Sequence, residues 1–233
     1  MLVTGAAKRI GRAIALTLAE QGANVAITYL TSQLEVEQTV RDIAEFGVAG
    51  LGVRCDLREP EAIAAMVEEV ATEFGGIDLV VNNAGMFESI ALEEITPELW
   101  DRMFATNTRA PFLVARAAHP YLKSAHGRIV NIGSLGGQHP WATHAHYCTS
   151  KAALHMLSET MAKAWAPEIS VNCVAPGMIV DGEVEEAYEH FARKTPMQRN
   201  GSAADVASAV LYFATAPHFI TGQMLTVDGG LGL

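Results

Sequence analysis

The 233 residues are half hydrophobic and 18% charged, with a net charge of −10. That length supports one sizeable core and at most a small second one. The acidic balance argues against a non-specific hold on nucleic acid, and no apolar run approaches the roughly 20 residues of a membrane span. The start, Met1-Leu2-Val3-Thr4-Gly5, has neither the basic region nor the apolar length of a signal peptide. Cys55, Cys148 and Cys173 are odd in number and lack metal-ligand spacing, so they read as small buried hydrophobes in a reducing cytoplasm.

In chain order, short apolar runs alternate with amphipathic stretches. The runs are Met1–Val3, Val25–Tyr29, Leu51–Cys55, Leu79–Val81, Arg128–Ile132, Ser170–Ala175 and Met224–Val227. Several are nearly continuous Val, Ile, Leu and Ala, as strands covered on both faces require. The helical patterns are Ile10–Gln21, Ser32–Phe46, Glu59–Phe74, Pro97–Leu122, Ala145–Trp165 and Ala203–Ala214. Ser32 with Glu35 predicts a capping box, Thr96 precedes Pro97 at a first helical position, and Ser202 is followed by Asp205. The first strand has only three residues before Thr4, shorter than a buried central strand usually is, so residues are expected to be missing from its start. Residues 178–194 have no strand period and carry an acidic run from Asp181 to Glu189, which reads as a mobile, partly helical surface segment. The alternation predicts α/β architecture: one domain over residues 1–233, a doubly wound, Rossmann-like parallel sheet of about seven strands with helices on both faces.

Thr4-Gly5-Ala6-Ala7-Lys8-Arg9-Ile10-Gly11 joins the first strand to the first helix. This junction aims free helix N–H groups at a ligand, Gly5 and Gly11 permit close backbone approach, and the small Ala6 and Ala7 leave room for a pyrophosphate. The spacing is not G-x-G-x-x-G. At the end of the second strand a carboxylate would accept bonds from a ribose 2′-hydroxyl and repel a 2′-phosphate; Tyr29-Leu30-Thr31-Ser32 contains no acid. With Lys8 and Arg9 nearby and donors at Thr31 and Ser32, the balance favours NADP(H).

Tyr147 and Lys151, four apart on one helix, share a face. An ammonium beside a phenol is expected to lower the phenol's pKa and make it a usable proton donor. Ser134, at a nearby strand end, offers a hydroxyl to hold a substrate oxygen. His139, His144 and His146 flank this region with Trp141, but irregular spacing without acidic or cysteine partners argues for substrate-loop or surface residues and against a metal.

The ordered pieces Thr4-Gly5…Gly11, Cys55-Asp56-Leu57, Asn82-Asn83-Ala84-Gly85, Asn107, Ser134, Tyr147…Lys151, Pro176-Gly177 and Val227-Asp228-Gly229-Gly230 resemble the short-chain dehydrogenase/reductase family over nearly the whole chain. Ser134 precedes Tyr147 by 13 residues, the family's usual interval. The resemblance implies a tetrad of Asn107, Ser134, Tyr147 and Lys151. In it Tyr147 is the general acid or base, Lys151 also binds the nicotinamide ribose, and Asn107 holds a water linking Lys151 to solvent. It implies that Asp56 and Leu57 contact the adenine, that Asn83, Ala84 and Gly85 line the cofactor, and that Pro176, Gly177 and Ile179 border the nicotinamide. It also implies a cytoplasmic homo-oligomer, most often a tetramer, with a substrate lid around residues 178–200.

Two features depart from the common pattern. The family usually has glycine where this chain has Arg9; an Arg there, with Pro140-Trp141 and Ala166-Pro167-Glu168-Ile169, is similar to pteridine reductases. Ser134 is the choice of ketone and 3-oxoacyl reductases, where pteridine reductases carry aspartate. The family's threonine after Pro-Gly is replaced by Val180-Asp181, and the segment that follows is a few residues short, so the lid is expected to differ. The readings are therefore NADPH-dependent reduction of a small-molecule carbonyl (a 3-oxoacyl thioester or other ketone), dihydropterin reduction, or, in another class, a non-catalytic NADP(H)-binding sensor or scaffold. A stacking aromatic pair around the nicotinamide would favour the pterin, and Phe87 and Trp141 could serve.

Overall fold

A computed structural model of the protein describes residues 1–180 and 186–233. Seven parallel strands form one sheet: β1 (Leu2–Val3), β2 (Val25–Tyr29), β3 (Gly50–Arg54), β4 (Leu79–Asn82), β5 (Arg128–Ile132), β6 (Ser170–Pro176) and β7 (Met224–Val227). Their spatial order is β3-β2-β1-β4-β5-β6-β7. The order reverses between β1 and β4, whose registers Leu2↔Val80 and Val3↔Val81 place their ends side by side. A crevice opens at such a switch point beyond the strands' carboxyl ends.

The helices are α1 (Arg9–Glu20), α2 (Gln33–Glu45), α3 (Pro60–Phe74), α4 (Pro97–Phe104), α5 (Ala110–Ala125), α6 (Ala145–Trp165), α7 (Glu186–Lys194) and α8 (Ala203–Thr215). Strand side chains alternate between two cores. Leu2, Ala26, Val80 and Ile129 pack with α3, α5 and α6, while Val3, Ile27, Val81 and Val130 pack with α1, α2 and α8. The sheet is thus buried on both faces, which is why its strands read as unbroken apolar runs.

The capping signals divide. Ser202 and Asp205 form a reciprocal capping box, and the Thr96 hydroxyl accepts from the Leu99 N–H with Pro97 behind it. The expected Ser32–Glu35 box does not form: Ser32 makes no side-chain cap bond, and Glu35 turns instead toward Lys8, 3.8 Å away. The helix expected over Pro97–Leu122 is interrupted by a π turn at Ala105–Arg109. Pro111 has no N–H to give the carbonyl of Asn107, four residues earlier, and its ring crowds that carbonyl; Ala110 N–H bonds back to Ala105 O instead. Of the segment read as mobile and partly helical, Glu186–Lys194 is helical, while Ile179 pairs with Gly201. Residues 181–185, which hold much of the acidic run and part of the expected lid, lie outside the described residues. No described helix is long and apolar enough to cross a membrane.

Candidate active site

The loop after β1 is held by close backbone contacts and by side chains just after β4 and in β2. Gly5 has φ +62°, and an added Cβ would meet the Ala84 backbone at 2.9 Å. At Gly11 an added Cβ would lie 2.5 Å from Asn83 Nδ2 and 2.6 Å from Gly5 O. Both positions therefore exclude a side chain. The Asn83 amide donates to Thr4 O (2.9 Å) and Gly5 O (3.0 Å), while the Thr4 hydroxyl accepts from the N–H groups of Asn83 and Ala84 at 3.1 Å. Gly5 N–H donates to Thr28 Oγ1 at 3.0 Å. Asn83 therefore anchors the loop through its side chain. Arg9 occupies the left-handed region at φ +55°, which accounts for the glycine usual at that place.

A cavity of about 700 Å³ lies over this loop. Its wall includes Gly5, Lys8, Arg9, Ile10 and Gly11 after β1, Asp56 and Leu57 after β3, and Asn83, Ala84 and Gly85 after β4. At β2 the wall is Thr28, Tyr29 and Leu30, and it does not include Thr31 and Ser32. Arg58, which sequence reasoning passed over, also lines it and holds both oxygens of Asp56, keeping that carboxyl at about 2. Lys8 and Glu35 are both well exposed, so their pairing adds little and Lys8 remains a local cation.

Gly85 connects the cavity to the tetrad: a Cβ there would lie 3.3 Å from Asn107 Oδ1 and 3.5 Å from Lys151 Nζ. Asn107 is fully buried in the π turn, where its Oδ1 accepts from Met86 N–H (2.8 Å) and its Nδ2 donates to Met86 O and Ser150 Oγ (3.0 Å each). Lys151, only 5% exposed, donates to Ile132 O at 2.8 Å. Burial depresses its pKa to about 8. The Tyr147 phenol is raised above its ordinary value, chiefly by burial, while the Ser134 hydroxyl beside it pulls the other way. The shift is thus upward and not the downward one expected from an ammonium beside the phenol; the Lys151 ammonium stands 6.0 Å from the Tyr147 ring centre and donates to a carbonyl. Pro176 ends β6, Gly177 N–H bonds Val227 O, and Ile179 follows in the bridge to Gly201; none of the three borders the cavity.

The contacts of three histidines, His146 and His155 buried and His144 half-buried, were not legible in advance. His155, one turn beyond Lys151, accepts the Ser134 N–H at Nε2 (3.3 Å). An added Cβ at Gly133 or Gly137 would come within 2.3 or 2.5 Å of that ring, so the two glycines make its space. His146, expected in a loop or on the surface, is fully buried in the first turn of α6, 3.9 Å from Glu88 Oε2, while Arg102 holds the other Glu88 oxygen at 2.8 Å. His144 packs on Phe87. Phe87 and Trp141 come together edge to face (6.4 Å, 82°). All three cysteines are buried and free, and burial pushes the Cys55 and Cys173 thiols up to about 11.

A family profile described as enoyl-(acyl carrier protein) reductase matches residues 5–232. The chain belongs to the short-chain dehydrogenase/reductase family. It is similar to the 3-oxoacyl-[acyl-carrier-protein] reductase FabG of Staphylococcus aureus, 35% identical over 237 residues that cover 99% of this chain and 96% of the relative. Similarity to the short chain dehydrogenase mdpC of Emericella nidulans is also 35%, covering 98% and 93%. Among solved structures, a short chain dehydrogenase from Burkholderia cenocepacia in complex with NADP superposes with a TM-score of 0.94 at 35% identity, covering 100% and 97% of the two chains. A Serratia marcescens short-chain dehydrogenase/reductase mutant gives 0.95 at 32% identity, with the same coverage. The chain is thus an oxidoreductase of this family, with its parallel seven-stranded fold.

Proposed function

We propose that the protein reduces a carbonyl of a small molecule with NADPH. The observation that carries this is the buried group of Tyr147, Ser134, Lys151 and Asn107 at the end of a crevice whose loop already excludes side chains at Gly5 and Gly11. The cavity fits a dinucleotide: the α1 N-terminus and its glycines suit a pyrophosphate, and the β2 end offers Leu30 and no acid, with Arg9 and Lys8 in the wall. The complex of the Burkholderia relative with NADP supports the phosphorylated cofactor. When bound, the nicotinamide supplies a hydride to the carbonyl carbon.

The chain's own residues handle the oxygen. A phenol raised by burial is protonated at neutral pH, so Tyr147 holds the proton the carbonyl oxygen must receive. Ser134 donates a hydrogen bond to that oxygen and fixes it against the phenol. Lys151 supplies positive charge beneath the site, and Asn107 holds the Met86 backbone in the cavity wall. The intact tetrad gives a sensor or scaffold reading no support, and Ser134, where pteridine reductases carry aspartate, favours a ketone over a dihydropterin. Exposed Phe112 on α5 and Met224 and Leu225 on β7 are consistent with a homotetramer, which sedimentation velocity reads.

The test is NADPH oxidation across acetoacetyl thioesters, dihydropterins, quinones and simple ketones. Tyr147→Phe is expected to lower kcat by about 10²–10⁴-fold; full activity in that variant would sink the mechanism. Equal or higher kcat/KM with NADH would overturn the cofactor choice.

A further inference from the structure

Two loops meet over Tyr147. One follows β4 and carries Phe87; the other precedes α6 and carries Trp141 and His144. Ile90 N–H donates to Thr143 O at 2.8 Å, and the Ser89 and Thr143 hydroxyls bond at 3.1 Å, so the loops form one wall. Trp141 lies nearly parallel to the Tyr147 ring (6.1 Å, 14°) and packs on Gly136, where an added Cβ would meet its six-membered ring at 2.9 Å. Gly136 N–H in turn donates to Ser134 Oγ, which fixes Trp141 beside the hydroxyl that meets the substrate. Phe87 stands edge-on to Tyr147 at 4.8 Å and stacks on His144 at 4.8 Å, yet it is 61% exposed. Burial and the neighbouring His146 hold the His144 pKa below its ordinary value, so this ring too is neutral at pH 7.

The wall's charge speaks against a carrier-bound substrate. Residues 86–96 and 135–147 contain no lysine or arginine; Glu88 is paired with Arg102, Glu93 and Glu94 add negative charge, and the whole chain carries −10. An acidic carrier protein meets repulsion there. A flat conjugated ring beside Tyr147 meets aromatic side chains, Phe87 the most exposed of them, and loses little conformational entropy there, whereas a flexible acyl chain loses more.

We propose that the substrate is a free, uncharged, planar conjugated ketone, selected by the Phe87–Trp141–His144 wall. The wall's role presupposes that Tyr147 delivers a proton to a carbonyl oxygen. The reaction balances as ketone + NADPH + H⁺ giving alcohol + NADP⁺.

The experiment compares 1-tetralone with 1-decalone, which share a ring skeleton but differ in planarity, and adds acetoacetyl-CoA as the thioester. In the wild type, kcat/KM for tetralone is expected to exceed that for decalone by about tenfold or more, the product of two ring contacts of the usual strength. Phe87→Ala and Trp141→Leu should each cut that ratio by about threefold or more, through KM. Calorimetric binding of the two alcohols with NADPH present, a pair that cannot exchange hydride, gives the same comparison without turnover, and Phe87, being exposed, is replaceable without a core void. A decalone-to-tetralone ratio near unity, a ratio unmoved in both variants, or a preference for acetoacetyl-CoA over both overturns the proposal. Reduction of acetoacetyl-CoA alone would do so while leaving carbonyl reduction standing; failure of every ketone, with no alcohol bound, sinks both.

Discussion

His155 should act as a neutral acceptor beneath Ser134, and His155→Leu tests this. Leucine keeps an apolar side chain in the space left by Gly133 and Gly137 but removes the partner of the Ser134 N–H. A buried N–H left unpaired costs about 1–3 kcal/mol. For a chain of this length that lowers Tm by roughly 2–12 °C at pH 7. Acid changes the comparison. Burial first, and then the Lys151 charge, depress the His155 pKa from 6.5 to about 4. Between those values the unfolded chain binds more protons than the native one, so this contribution to stability is complete above pH 6.5 and is lost as pH falls through 4. At about 1.4 kcal/mol per pKa unit it amounts to at most about 3 kcal/mol. Leucine takes up no proton, so the variant lacks this acid sensitivity. The Tm gap between wild type and variant, followed by circular dichroism from pH 7 down to pH 4, should narrow steadily. A gap that stays constant over that range refutes the assignment of a neutral imidazole acceptor.

The phosphate loop and Lys151 give three more predictions. Gly11→Ala puts a Cβ 2.6 Å from Gly5 O, a backbone atom that moves only with the loop; the cost is about 1–3 kcal/mol, and the NADPH Kd from fluorescence titration should rise about tenfold. Arg9→Gly relieves about 1–2 kcal/mol of left-handed strain against glycine's extra chain entropy of about 0.5–1 kcal/mol. Its stability in urea should therefore stay within about 1 kcal/mol of wild type, while the preference for NADPH over NADH in kcat/KM falls about tenfold with the lost guanidinium. Lys151→Met should abolish turnover yet stabilise the fold at pH 7 by at most about 3 kcal/mol, because burial holds the amine's pKa at about 8 against 10.5 unfolded. The wild type should gain stability from pH 8 to 10.5 as the buried amine discharges, and the methionine variant should not; parallel urea curves at pH 7 and 10 would contradict this.

The strands were legible because a sheet buried on both faces writes itself as apolar runs; Val25–Tyr29, Arg128–Ile132 and Met224–Val227 are bounded where the runs are. The helices were legible where one face is apolar. The π turn at Ala105–Arg109 had a signal, Pro111, whose missing N–H falls four residues after Asn107, but amphipathic spacing alone runs straight through it. The Ser32–Glu35 box does not form, and Glu35 lies instead beside Lys8, supplied by a loop distant in sequence. Buried polar contacts are the least legible class. His146 and Glu88 are 58 residues apart, and nothing local marks either as interior. His155 is an intermediate case: the four-residue stride that joins Tyr147 to Lys151 continues to it, so its place on the active face was readable, while its bond to the Ser134 backbone was not.

The same distinction governs the chemistry. Four-residue spacing puts Tyr147 and Lys151 on one face but says nothing of how deeply they sit. Depth decides protonation here: burial raises the phenol and lowers the amine, so each group is pushed toward its neutral form. For the phenol, the neutral form is the acid. A reductase needs that acid in place when hydride reaches the carbonyl carbon, whereas oxidation of an alcohol needs the phenolate, which this environment disfavours. The Ser134 hydroxyl opposes the shift by bonding the phenol. His155, by holding the Ser134 backbone, sets where that hydroxyl stands.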